Sequence, residues 1–427
     1  MIELEARLEE LRSLGLDHRI RLVSGPQGPH VLLDGRPVLL LCSSNYLGLA
    51  DHPRVREAAA EAAMRWGVGA GGSRLVCGTM TIHRRLEERL AQFMGRESAL
   101  LFGSGYLAGA GTVAALARPG DVVFCDELSH PSLVDGGRLS GAEVFVYDHC
   151  DVEHLAWGLT EAEGRGALIV TDSVFSVDGD VAPLAEIVEL GQQFGVRLLV
   201  DEAHAVGALG PGGRGALADA GLADQVDVII GSLGNALGSY GAFAACERTM
   251  ARHLMTAART FGLSAAPAPP AVAAALAALD LLTPRRLARL TENAAALRGE
   301  LDLQGFDVGD ARTQIVAPAI TDAGLANRIC DAAVRHGVFA GAVGPSSVPA
   351  TAPRLRLTVM ATHRPPELRA AARTLGEVAR AAGVSQRLPR PLVGPPNARP
   401  AGARPEPPPG PFDFEAPQAP GPVRRAA

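Results

Sequence analysis

The chain has 427 residues, 47% of them apolar and 20% charged, and a net charge of −6. That balance suits a globular protein with a substantial core, and it offers no basic surface for nucleic acid or an anionic membrane. All 40 residues of the Lys+Arg count are arginine. A guanidinium replaces a solvated ammonium well, but it cannot form a Schiff base or lose its proton near neutral pH.

The first residues, MIELEARLEELRSLG, form an acidic amphipathic helical pattern without an apolar centre, which is not a signal peptide. No apolar run reaches the roughly 20 residues of a membrane span. VLLDGRPVLLLCSSNYLG, around residues 31–48, reads as extended. From about residue 50 to 246 short apolar strands alternate with helical stretches. The strand candidates are SALLFGS, DVVFCDE, EVFVYD, ALIVTDS, VRLLVDEAH, DVIIGSLG and AFAAC, and the helical patterns include IHRRLEERLAQFM and LAEIVELGQQFG. This alternation predicts an α/β fold, a mostly parallel seven-stranded sheet covered by helices on both faces.

Residues around 264–305 read as a long Ala- and Leu-rich helical region. Beyond it, TQIVAPAI and RLRLTVM are strand candidates, and LANRICDAAVRHG and PPELRAAARTLGEVARAAG are helical. The expected organisation is an N-terminal segment (1–48), a large domain (49–290), a smaller α+β C-terminal domain (291–383) and a Pro-rich disordered tail (384–427). Cys42, Cys77, Cys125, Cys150, Cys246 and Cys330 are scattered and form no CxxC pair. They read as thiols of a reduced cytoplasmic protein and not as metal ligands.

Gly67-Val-Gly69-Ala-Gly-Gly72 matches GxGxxG, but it follows a helical pattern instead of a strand, so it reads as a glycine turn. LLVDEAHAVGALG is more informative. It sets Asp201 and His204 at the end of a buried strand, where ligands of α/β sheets bind. The acid could pair with a cationic heterocycle nitrogen, or it could simply cap the next turn; the histidine could reach a ring oxygen. FGSGYLAGAG places Gly105 and Tyr106 at a helix N-terminus able to receive a phosphate. DELSHPSLVDGG puts His130 after a strand, and VTDSVFSVDGDVAPL does the same for Asp172 and Ser176. Each signal alone is weak, and a lone histidine is more often structural.

In this order and spacing, together with SSNYLGLADHPRV, GVGAGGSRLVCGT and VPATAPRLRLT, the motifs resemble those of the α-oxoamine synthases, which are fold-type I pyridoxal-phosphate enzymes. The resemblance covers roughly residues 20–383. It implies decarboxylative condensation of an amino acid with an acyl thioester: alanine and a pimeloyl thioester in biotin synthesis for the nearest members, glycine for others. It further implies that Asp201 pairs with the pyridine nitrogen, His130 stacks on the ring, and His204 contacts its phenolic oxygen with Ser176 nearby. Gly105, Tyr106 and Ser232 would bind the phosphate, and Arg356 the amino-acid carboxylate. Ser347 and Arg19 or Arg21 align with acyl-substrate contacts.

One position breaks the pattern. Where the family carries T-x-G-K-A-x-G, this chain reads Ser232-Leu-Gly-Asn235-Ala-Leu-Gly238, so Asn235 stands at the Schiff-base lysine. Gly109 and Ala265 also depart, the first from an asparagine and the second from a hydroxyl residue of the neighbouring subunit. The resemblance therefore implies pyridoxal 5'-phosphate held non-covalently at best, with activity impaired or lost. The partners implied are a second copy in a homodimer, or an active homologue in a heterodimer.

Overall fold

The computed structural model describes residues 3–13, 20–343 and 353–384. Arg19, Ser347 and the Pro-rich tail lie outside the described residues. The seven predicted strands all form: β1 (Ser98–Phe102), β2 (Val122–Asp126), β3 (Glu143–Tyr147), β4 (Ala167–Asp172), β5 (Arg197–Asp201), β6 (Val228–Ser232) and β7 (Ala242–Cys246). They make one sheet in the order β1-β7-β6-β5-β4-β2-β3. Only β7 runs against its neighbours.

Alternate residues of each strand enter opposite cores, as the pleat requires. Leu101, Phe124 and Ile169 pack into one, and Leu100, Val123 and Leu168 into the other. Strands buried on both faces read as continuous apolar runs, which is why they were legible. Because six strands share one direction, their carboxyl ends lie on one edge. The turns after Phe102, Asp126, Asp172, Asp201 and Ser232 are gathered there.

Two smaller sheets flank this frame. The segment read as merely extended is a hairpin, His30–Leu33 against Arg36–Leu40. It turns at Asp34 and Gly35, with φ of 48° and 80°. Asp-Gly is a strong signal for a turn with two positive φ values, and it was available in the sequence. Val338–Phe339 joins this sheet parallel to Arg36–Leu40.

The other sheet has the order Ile315–Val316, Arg354–Thr358, Gly341–Val343. TQIVAPAI was expected to be a full strand, but only two of its residues pair as one. Pro318 has no N–H for a ladder and serves as an acceptor, to Leu355 N–H at 3.0 Å. The long helical region is two helices, Pro269–Leu279 and Pro284–Leu303, with Thr283 capping the second through Arg286 N–H. All described residues fall within one compact unit, and the division at 48, 290 and 383 stands as a proposal. Among them no helix is long and apolar enough to cross a membrane.

Candidate active site

The floor of the site is a pair of buried acids. Asp172 ends β4 and Asp201 ends β5, directly opposite one another in register. Asp172 Oδ2 accepts the His130 backbone N–H at 2.7 Å. Asp201 Oδ1 accepts the Ala203 N–H at 2.8 Å, so the turn-capping role allowed by the sequence is real and uses one of its oxygens. Burial raises both carboxyls above their ordinary range. The charge of Asp201 raises Asp172 further, whereas His130 and the Ala203 N–H oppose the rise at Asp201. Among the described residues neither acid has a salt-bridge partner. A buried acid pair without a cation favours a ligand that brings one.

Several of the predicted residues lie on the turns around this floor. His130 caps helix Pro131–Ser140, its Nδ1 accepting Ser132 N–H at 3.3 Å with Ser132 Oγ 2.7 Å away. Gly109 gains a packing reason here: a Cβ at 109 would overlap the Ser132 hydroxyl that contacts His130. Gly105 opens helix Gly105–Leu116, capped by Ser104 Oγ accepting Leu107 N–H at 3.2 Å. The leading N–H groups of such a helix have no partner within it, which suits an anion. The Tyr106 hydroxyl points elsewhere, donating to Asp135 Oδ2 at 2.6 Å, and that bond raises its pKa.

Ser232 ends β6 and accepts Gly234 N–H at 3.1 Å. Three residues on, Asn235 Nδ2 donates to Ala203 O at 2.8 Å, and Asn235 O accepts Gly238 N–H at 3.0 Å. Its amide thus ties the turn after β6 to the turn that follows Asp201. Arg356 comes from the small sheet and donates through Nε to Ser176 O at 2.6 Å. Arg354, two residues earlier on the strand, forms an ion pair with Asp178 of the same loop. His204 Nδ1 lies 2.7 Å from the buried hydroxyl of Tyr46. Its imidazole is pushed down to about 3 by burial, then by Arg356 and His130, so the ring is neutral at ordinary pH.

Two further residues named from the sequence lie away from this floor. Arg21 is engaged on the N-terminal sheet, donating to Asp34 at 2.7 Å and Asp331 at 3.4 Å, and lying over the Phe339 ring. Ala265 is exposed and bridges to Ser73 of the glycine-turn segment. A groove of about 630 Å³, lined by Ala58, Arg65, Trp66, Arg85 and Asp280 among others, shares no residue with this cluster.

Tyr46, Ser132 and Gln314, whose Nε2 donates to His204 O at 2.7 Å, were not singled out from the sequence. Also unforeseen is His149, which bridges Asp126 at 2.8 Å through Nδ1 and Asp180 at 2.8 Å through Nε2, with Cys150 beside it. Both ring nitrogens are committed to carboxylates, so the cluster is closed as an ion bridge and leaves no ring nitrogen for a metal.

Burial alone would lower the His149 imidazole, but the bonds to Asp126 and Asp180 outweigh it and push its pKa up to about 12. A raised folded pKa adds stability that is fully present below the unfolded value of about 6.5 and is lost as pH rises through the folded value. His149→Gln should therefore destabilise most at pH 6, with a gap to wild type that narrows toward pH 10. Urea melts across that range measure it, and a gap that is constant or widens refutes the bridge.

Comparison with known proteins agrees with this geometry. The chain matches the aminotransferase class I and II family over residues 36–375. It is 44% identical to an 8-amino-7-oxononanoate synthase of Citrifermentans bemidjiense, over 88% of this chain and 98% of the relative. The same-named protein of Anaeromyxobacter dehalogenans is 47% identical, over 84% of this chain and 90% of the relative. Among solved structures, a lysine-to-alanine variant of serine palmitoyltransferase from S. paucimobilis, with a bound PLP–myriocin aldimine, superposes with a TM-score of 0.84. It is 31% identical, over 90% of this chain and 98% of that one. The chain therefore belongs to the class I and II aminotransferase family, within its pyridoxal-phosphate-dependent α-oxoamine synthase branch.

Proposed function

We propose that this chain is an 8-amino-7-oxononanoate synthase-type scaffold that binds pyridoxal phosphate with an amino acid non-covalently and turns over inefficiently or not at all. The observation that carries this reading is Asn235. It stands where the family carries the Schiff-base lysine, after β6 and beside the turn that follows Asp201, with its amide donated to Ala203 O.

The donor set fits the cofactor except at that point. The acid pair without a cation suits a protonated ring nitrogen, and the capped helix at Gly105 suits a phosphate, but the 427 residues contain no lysine to form a covalent bond. When bound, the group supplies an electron sink. The chain's own part would be as follows. Asp201 would hold a proton at the ring nitrogen, His130 would cover the ring, and His204, with Ser176 nearby, would donate to the ring oxygen. The backbone at Gly105 and Tyr106, with Ser232, would hold the phosphate, and Arg356 would bind a carboxylate. Asn235 can donate a hydrogen bond but cannot take up the Cα proton. Alanine and a pimeloyl thioester are the expected substrates by relationship to the named relatives, in a reduced cytoplasmic setting. The similarity to a lysine-to-alanine serine palmitoyltransferase with a bound PLP–myriocin aldimine supports retention of such a ligand.

A second reading is a non-catalytic subunit paired with an active homologue, or a second copy of this chain. Met64, Val68, Leu75, Val76 and Leu263 are apolar and exposed around the glycine turn and Ala265, as at a surface meant for a partner. Light scattering on the purified chain, alone and with a lysine-bearing homologue, separates these states.

The binding reading predicts that phosphopyridoxyl-alanine, a stable cofactor–amino-acid adduct, binds at least about tenfold tighter than free pyridoxal phosphate. The added carboxylate–Arg356 contact is charge-assisted. Equal affinities by calorimetry would refute it, and the same titration with phosphopyridoxyl-glycine tests the glycine-using alternative.

A further inference from the structure

We infer that Tyr46 is a positioning residue. Its buried hydroxyl donates to His204 Nδ1 and holds the imidazole as the Nε2–H tautomer, so that Nε2 presents a hydrogen-bond donor to an oxygen of the bound ligand. The inference rests on the reading of this site as a pyridoxal-phosphate site, but its first test needs no cofactor.

The geometry allows two arrangements of the 2.7 Å contact between Tyr46 Oη and His204 Nδ1. In one, Nδ1 carries the proton and the phenol accepts it. The phenol's own proton then has no acceptor, because Tyr46 is 0% exposed and its hydroxyl has no other partner among the described residues. In the other, the phenol donates to an unprotonated Nδ1, and the ring proton sits on Nε2. A buried donor left unmade is costly, so the second arrangement should dominate by about tenfold or more. Nε2 has no partner among the described residues, which leaves it available to a ligand.

Both sides of the contact are held in place. Tyr46 N–H donates to Ser44 O at 2.7 Å, and Tyr46 O accepts Ala361 N–H at 2.7 Å. The turn beneath it is pinned by Asn45 Oδ1, which accepts Leu49 N–H at 2.9 Å and Ala50 N–H at 3.1 Å. On the other side, Gln314 Nε2 fixes the His204 carbonyl at 2.7 Å. Burial, with the Arg356 guanidinium nearby, keeps His204 neutral and leaves the tautomer as the remaining choice, and Tyr46 makes it.

The test is nitrogen NMR of protein labelled with ¹⁵N-histidine, with the His204 signals assigned by their loss in His204→Gln. Wild type should show protonated Nε2 and unprotonated Nδ1 at pH 7 without ligand. Tyr46→Phe keeps the ring volume and removes the hydroxyl, so the tautomers should mix and phosphopyridoxyl-alanine should bind about tenfold more weakly. A wild-type Nδ1–H form overturns the inference, and this needs no variant to fold. An unchanged tautomer in Tyr46→Phe overturns it as well, leaving Tyr46 a packing residue that affects only the melting temperature. A switched tautomer with unchanged affinity overturns the donor role of Nε2. If the tautomer results hold while wild type fails to bind phosphopyridoxyl-alanine, Tyr46 is supported as the residue that sets the tautomer and the pyridoxal reading is the part that falls.

Discussion

Borohydride treatment of the wild-type chain with pyridoxal phosphate should leave no cofactor on the protein, whereas Asn235→Lys should be labelled at residue 235. The missing amine is both the covalent anchor and the base that would move the Cα proton. A positioned base is worth about 10²–10⁴ in rate, so exchange of the alanine Cα proton for deuterium should rise by at least about 10²-fold in the variant. Recovery should be incomplete, because lysine at 235 gives up the side-chain amide's hydrogen bond to Ala203 O, which ties the two turns together. A displacement of about an ångström at a reacting centre is costly. A cofactor adduct in wild type at an internal residue would refute the reading of Asn235. Labelling of Asn235→Lys without exchange in either alanine or glycine would show that the site has lost more than its amine, and would favour the non-catalytic subunit.

The largest expected loss of stability lies outside the site, at Arg74. Its side chain is 4% exposed and donates to Glu87 Oε1 at 2.8 Å, Thr79 Oγ1 at 3.0 Å and Leu101 O at 3.3 Å, with the Phe261 ring 5.0 Å away. Glu87 is 3% exposed and also accepts Leu101 N–H at 3.1 Å. Taking away Arg74 leaves the buried Glu87 carboxylate only the solvent-exposed Arg84, 3.7 Å away, so the loss should approach the about 3–5 kcal/mol of a broken buried pair. Arg74→Met should lose that much in urea unfolding, and the double change Arg74→Met with Glu87→Leu should recover much of it. A loss below about 1 kcal/mol in the single variant would mean that water reaches Glu87 and that the pair is not sealed. Because Arg74 follows the glycine turn and reaches β1, its loss should also loosen the edge on which the site is built.

Local pattern was enough to reveal the frame. Each of the seven strands is a short apolar run bounded by turn residues, and the helices between them carry their own periodicity, so the α/β architecture follows from neighbours in sequence. The same logic put Asp201, His130, Gly105 and Ser232 at strand ends or helix starts, and parallel strands bring such ends to one edge. Composition alone excluded a lysine Schiff base.

Contacts between residues distant in sequence were decided by tertiary structure. The Tyr46–His204 contact spans 158 residues and the Arg356–Ser176 contact 180. The ion bridge of His149 with Asp126 and Asp180 and the packing of Ser132 against Gly109 likewise depend on which elements lie side by side. A side chain's protonation, tautomer and hydrogen-bond partner are set by burial and by its neighbours in space. The chemistry the chain lacks could thus be read from its letters. How the remaining groups are held and charged depends on the fold that brings them together.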